Sequence, residues 1–210
     1  MTSLVLVRHG ETVWHRENRY AGRSDIELTP RGMEQARRLA DWARTARLSG
    51  VWASTLSRAR VTAMACAEVS GLPLEVDTRL RELDFGVGEG LTSAEMERKF
   101  PEPLRAFRDD PVTHHLPGGE DPTDAARRFT DCLEDIIKAH PDGRVLVVAH
   151  NSVLRLAICR LIGIPLPKYR RLFPSVRNCG LTEIRVRDGQ TAVIGFNVPH
   201  SGTKSHETAG

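Results

Sequence analysis

Lysine is nearly missing from this chain: Lys99, Lys138, Lys168 and Lys204 stand alone among 30 basic residues, and arginine supplies the rest. Guanidinium matches a phosphate fork geometrically, whereas an ammonium offers a point charge. Basic and acidic residues nearly balance at 30 against 27 and are mixed along the chain. No basic stripe or recognisable module is present, which argues against a nucleic-acid binder. Cysteine is sparse and scattered. Cys66, Cys132, Cys159 and Cys179 fit neither a zinc spacing nor a disulfide framework, and the first three fall in helical patterns where a thiol acts as a small apolar residue. Aromatics make up 5% of the chain, with Trp14, Trp42 and Trp52 too dispersed for a stacking platform and read as packing residues. Long apolar runs are absent as well. The opening Ser3–Val7 run is too short for a signal segment, and nothing reaches the roughly 20 residues of a membrane span. A cytoplasmic protein with no membrane or nucleic-acid partner is expected. No HExxH, paired-Asp or Cys/His cluster appears, so neither a metal nor a cofactor is expected.

What is present reads as one α/β domain. Ser3–Val7 is a buried strand ending in Arg8-His9-Gly10. Thr29-Pro30 caps and opens a helix to about Arg47. Val51–Ala53 forms a second strand, a helix follows Ser54-Thr55-Leu56, and a brief extended piece covers Leu74–Val76. The glycines of Arg81–Gly90 exclude regular structure there. Short helices around 94–100 and 104–108 suggest a cap inserted at about 92–119. A long helix over 122–139 precedes a strand at Arg144–Ala149, which delivers His150, and a helix over 152–162. Leu181–Arg187 and Thr191–Phe196 flank Asp188-Gly189, a strong hairpin signal. The expected architecture is a three-layer domain over residues 1–198, with a mostly parallel central sheet, helices on both faces and an antiparallel C-terminal edge. A polar tail at 199–210 is expected to lack structure.

His9 and His150 sit at the ends of two buried strands that open on one sheet edge, so they can share a site. A phosphoryl group needs positive charge around its oxygens and an in-line nucleophile. Arg8 and Arg58 could supply the charge, and together with a protonated His150 they would hold His9 neutral with its lone pair available. Gly10 lets the backbone pass close to phosphate or take a positive φ.

The segments LVRHGET (Leu6–Thr12), STLSRARVTA (Ser54–Ala63), RELDFGVGEG (Arg81–Gly90), PGGE (Pro117–Glu120) and VVAH (Val147–His150) occur in the order found in the histidine phosphatase superfamily. The chain resembles that family over roughly residues 3–198. The resemblance implies that His9 is phosphorylated, that Arg8 and Arg58 bind phosphate, that His150 steadies the transferring group, and that Glu82 protonates the leaving alcohol and later activates water. The implied activity is a metal-independent phosphatase acting on a small phosphomonoester of the sugar phosphate, nucleotide or α-ribazole phosphate class. A 2,3-bisphosphoglycerate-dependent phosphoglycerate mutase and a noncatalytic phosphate-binding protein are the alternatives. His150 follows Glu82 by 68 residues, a short cap that favours the phosphatase. A homodimer stays open.

Two positions depart from the family pattern. His15 stands where Asn is common and could still donate to phosphate, with Asn18 as a substitute. Asn151 stands where Gly is common, its amide either crowding the phosphate or adding a donor. Gly22 and His115 are further candidate substrate contacts, although an exposed loop is the plainer reading of His114 and His115. Glu89 reads as a structural carboxylate, and Arg177-Asn178-Cys179 as structural.

Overall fold

A computed structural model describes residues 1–200; of the tail expected over 199–210, residues 201–210 lie outside the described residues. Strands β1 (Thr2–Arg8), β2 (Gly50–Ser54), β3 (Leu74–Asp77) and β4 (Arg144–Ala149) run parallel in the order β3-β2-β4-β1. Strands β5 (Leu181–Arg187) and β6 (Gln190–Val198) continue past β1 as an antiparallel edge. The expected fold class therefore holds.

β1 and β4 are apolar on both faces because both faces are covered. Leu4 and Leu6 of β1 join Val145, Val147 and Ala149 of β4 in one core. That core packs against helices α5 (Pro122–Ala139) and α6 (Asn151–Leu161). Val5, Val7, Leu146 and Val148 point the other way, onto α1 (Pro30–Ala43) and α2 (Ser57–Ser70). Each of these Leu and Val side chains is fully buried, and each burial contributes about 1.5–3 kcal/mol. Helix α1 is capped as expected by the Thr29 hydroxyl, which accepts from Gly32 N at 3.0 Å. It stops at Ala43, short of Arg47, because the last turn unwinds and Arg47 takes a φ of 53°. Asp188 and Gly189, at φ 51° and 75°, make the β5–β6 hairpin turn.

Between β3 and α5 the chain forms α3 (Ser93–Lys99) and α4 (Pro101–Asp109). Met96, Leu104, Phe107 and Leu116 gather there with Leu83 and Phe85 into a separate small core. A short helix missed in the sequence, α7 (Tyr169–Leu172), buries Tyr169 against Leu156 and Cys159 of α6. Its four residues are too few to leave a period. Cys66, Cys132 and Cys159 are buried within α2, α5 and α6, and burial pushes the Cys66 and Cys132 thiols up to about 12. Among the described residues no helix is long and apolar enough to cross a membrane.

Candidate active site

Parallel pairing of β1 with β4 sets Arg8 opposite Ala149, so the next residues of both strands, His9 and His150, emerge side by side. Their ring centroids are 5.2 Å apart. His9 Nδ1 donates to its neighbour's carbonyl, Gly10 O, at 2.7 Å, which leaves the lone pair on Nε2. Burial, then His150, Arg58 and Arg8, hold its pKa well below the ordinary histidine value. Asn178 Nδ2 donates to His9 O at 2.7 Å and fixes the backbone under the ring.

His150 is neutral, contrary to the protonated state expected from sequence. It is fully buried, and burial followed by the charge of Arg58 lowers its pKa strongly. Arg58 Nε donates to His150 Nδ1 at 3.3 Å, so the ring proton sits on Nε2. That N–H is buried and has no partner.

Arg8 is held at one end by Val176 O, 2.8 Å from Nη1. Its Nη2 lies 2.7 Å from His15 Nε2, while His15 Nδ1 lies 2.8 Å from the Thr12 hydroxyl. Thr12 N also donates to Nδ1, at 3.0 Å, so Thr12 and Arg8 hold the imidazole from its two ring nitrogens. Burial and the Arg8 charge push His15 down to about 4. His15 thus orients the guanidinium, whereas the sequence suggested a donor to phosphate. Arg8 Nε, like His150 Nε2, is buried without a partner.

Glu82 is buried at the N-terminus of α6. Its Oε1 accepts from Leu83 N at 2.8 Å and Val153 N at 2.9 Å, and its Oε2 accepts from Ser152 N at 2.9 Å. Unpaired N–H groups of a first helical turn are natural carboxylate partners. Asn151, the first residue of α6, lines the cleft, and its Oδ1 is buried without a partner.

The cleft encloses about 400 Å³ and is lined by Arg8, His9, His15, Asn18, Glu82 and Asn151 among others. Four sequence candidates lie outside its walls: His150, fully buried behind His9, Arg58, Gly22 and His115. Arg58 is only 1% exposed, and its Nη groups donate to Ser24 O at 2.6 Å, Gly22 O at 2.8 Å and Ala21 O at 3.3 Å. It stands behind His150 and holds the 21–24 loop. Gly22 belongs to that support: its N–H donates to Glu89 at 2.9 Å, and an added Cβ would stand 2.5 Å from Leu83 O. Glu89 is the structural carboxylate expected, while His115 is exposed and outside the cleft. Gly10 does not take a positive φ; it is glycine because a Cβ would stand 2.6 Å from Gly32 O at the start of α1.

Sequence reasoning missed Arg19, Arg155, Arg170 and the cleft position of Trp14. Arg155 had a readable signal, since it lies four residues after Asn151 and so on the same helix face. Arg170, on the unforeseen α7, had none. Arg177-Asn178-Cys179 was read as structural; Asn178 also reaches His15 Nε2, at 3.3 Å, besides buttressing His9.

The model of the histidine phosphatase superfamily, branch 1, matches residues 4–199. The chain belongs to this superfamily. It is 34% identical over 206 residues to a probable phosphoglycerate mutase GpmB of Enterobacter sp. (strain 638), covering 98% of this chain and 95% of that one. It is 30% identical over 198 residues to phosphoserine phosphatase 1 of Hydrogenobacter thermophilus, covering 94% and 93%. Among solved structures, Bacillus stearothermophilus YhfR superposes with a TM-score of 0.90 at 30% identity, covering 95% of this chain and 98% of that one. The α-ribazole phosphatase of Shigella flexneri superposes at 0.84 with 27% identity, covering 96% and 99%.

Proposed function

We propose that the protein is a phosphatase that hydrolyses a small phosphomonoester through a phosphohistidine on His9. One observation carries this reading: a neutral, buried histidine with its lone pair on Nε2 stands beside two buried donors, Arg8 Nε and His150 Nε2, that have no partner. Unsatisfied buried donors are costly. Phosphoryl oxygens would satisfy them, and only charge stabilisation in the transition state accelerates the step.

In this scheme His9 Nε2 attacks phosphorus in line while Arg8 and His150 take the phosphoryl oxygens. Glu82 gives a proton to the departing alcohol oxygen, and the P–O bond breaks as the N–P bond forms. With the alcohol gone, the carboxylate takes a proton from water, whose oxygen attacks phosphorus and releases phosphate from His9. Arg58 acts through His150 by fixing its tautomer, and His15 acts through Arg8. The segment at about 92–119 serves as the cap: α4 carries Phe107, over which the Arg170 guanidinium lies at 4.2 Å, so the cap helps shape the far wall of the cleft.

The phosphatase reading draws on the phosphoserine and α-ribazole phosphatases to which the chain is similar. Cap length does not discriminate, because a probable phosphoglycerate mutase matches over 95% of its own length. That relative keeps a mutase as the second reading. Phosphate release from a panel of sugar phosphates, nucleoside monophosphates, α-ribazole phosphate and 3-phosphoglycerate separates the two, with 2,3-bisphosphoglycerate present or absent and isomerisation followed in parallel. Release supports the phosphatase; bisphosphoglycerate-dependent isomerisation without release would replace it by the mutase.

A further inference from the structure

The scheme above gives no task to the Asn151 side chain, which stands where the family commonly has glycine. Asn151 lines the cleft as the first residue of α6, and its Oδ1 is buried without a partner. A buried acceptor left unpaired is costly, so the group it faces during the reaction must carry an O–H or N–H. The transferring group does not. Phosphoryl oxygens of a dianion only accept, and they suit the two orphaned donors, Arg8 Nε and His150 Nε2. Asn151 Oδ1 has the opposite polarity and needs a different occupant.

Its surroundings narrow the choice. Ser152, the next residue in the first turn of α6, donates its N–H to Glu82 Oε2 at 2.9 Å, while Glu82 Oε1 accepts from Leu83 N at 2.8 Å and Val153 N at 2.9 Å. Oε2, with one bond, is the oxygen of Glu82 that keeps more room for another donor. Two acceptors, Glu82 Oε2 and Asn151 Oδ1, are thereby set at the same helix start, and both residues line the cleft. The groups that pass Glu82 in turn differ in their hydrogens. The ester oxygen of the substrate carries none, and the departing alcohol carries one, which Glu82 supplies. Water carries two. For its lone pair to face phosphorus, both O–H groups must be accepted on the far side, one by Glu82 and one by a second acceptor.

We propose that Asn151 Oδ1 is that second acceptor: it holds the lytic water and directs the phosphohistidine to hydrolysis instead of transfer to an alcohol. This inference rests on the phosphohistidine reading of the same site and assigns a catalytic contact in its second step. Water donates one O–H to Oδ1 and gives its other proton to Glu82 as its oxygen forms a bond to phosphorus. The bond from phosphorus to His9 Nε2 breaks, and its electron pair returns to the ring. An alcohol in the same place has a single O–H, taken by Glu82, and gains nothing from Oδ1. Glycine at this position cannot make the distinction.

The test lets p-nitrophenyl phosphate phosphorylate the enzyme in the presence of methanol and measures the ratio of methyl phosphate to inorganic phosphate among the products. That ratio reports the second step alone, whichever step limits turnover. Asn151→Gly is expected to raise it about tenfold, the scale of one hydrogen bond. Asn151→Ala should do the same and keeps the test open if glycine loosens the first turn of α6. Asn151→Asp, which retains an acceptor oxygen, should stay near the wild-type ratio whatever its added charge does to phosphorylation. In rapid mixing, the nitrophenolate burst of Asn151→Ala should keep the wild-type rate while decay of its phosphoenzyme slows by the factor seen in the product ratio. An unchanged ratio in the glycine and alanine variants, an aspartate ratio as high as theirs, or a loss confined to the burst would each overturn the assignment, the last by making Asn151 a phosphate contact. Wild-type turnover without a trappable phosphoenzyme would instead remove the histidine intermediate itself, and the assignment with it.

Discussion

Replacing Glu82 by glutamine should produce two separable losses. The carboxylate accepts from Leu83 N, Ser152 N and Val153 N, using both oxygens. A glutamine retains one oxygen, so its amide nitrogen must face at least one of these N–H groups donor to donor. Leaving one buried N–H unsatisfied costs about 1–3 kcal/mol, which for a chain of this size lowers Tm by roughly 2–4 °C per kcal/mol. The chemical loss is distinct. Removing a general acid typically costs about 10²- to 10⁴-fold on a substrate whose alkoxide leaves poorly, whereas p-nitrophenolate needs little protonation. Steady-state turnover of an alkyl phosphate and of p-nitrophenyl phosphate, run beside thermal unfolding, resolves the two. Equal kinetic losses on both substrates would refute proton donation by Glu82, and an unchanged Tm would refute its anchoring role at the α6 N-terminus.

His9, His15 and His150 all have folded pKa values below the unfolded value of about 6.5. Their unfolded forms bind protons first, so stability is fully present above about pH 6.5 and falls as pH drops toward about 4; urea midpoints across that window check the sign. His15, at about 4, contributes on the order of 3 kcal/mol of that swing, and His15→Asn should flatten the profile measurably, an unaltered slope counting against it. His9→Ala should fold with an unchanged circular dichroism spectrum and lose turnover, and residual activity above about 1% would remove the nucleophile from this position. EDTA should leave turnover unchanged, since arginines supply the charge around the phosphate; inhibition reversed by a divalent ion would contradict the arginine-based account.

The parallel strands were legible because β1 and β4 are apolar at every position between short polar flanks, and the capped α1 and the period of α5 left clear helical signals. His9, Glu82 and His150 were legible through motifs, and the structure sets His9 and Glu82 in one cleft with His150 buried beside His9. What could not be read depends on contacts between distant segments. That Arg58 spends its donors on loop 21–24 and His150 follows from where α2 packs, and no spacing within Ser54–Ala63 reports it. His150 was expected as an imidazolium, yet full burial, the cationic Arg58, Arg128 and Arg8 around it and the Arg58 N–H all decide for the neutral ring. His15 looked like a replacement phosphate donor, but its Nδ1 accepts from Thr12 N and its Nε2 is taken up by the Arg8 guanidinium. Arg170 rides on a helix of four residues whose position is fixed by Tyr169 burying itself.

The central claim is that phosphate passes through His9 Nε2. Rapid acid-free quenching during turnover, followed by intact-mass and fragment-mass analysis, tests it directly. A gain of one phosphoryl group, labile to acid, stable to alkali and mapped to His9, is expected in the wild-type enzyme and its absence in His9→Ala. Turnover with no covalent adduct at any quench time, or a phosphoryl group mapped to a serine or threonine of the cleft, would contradict the account.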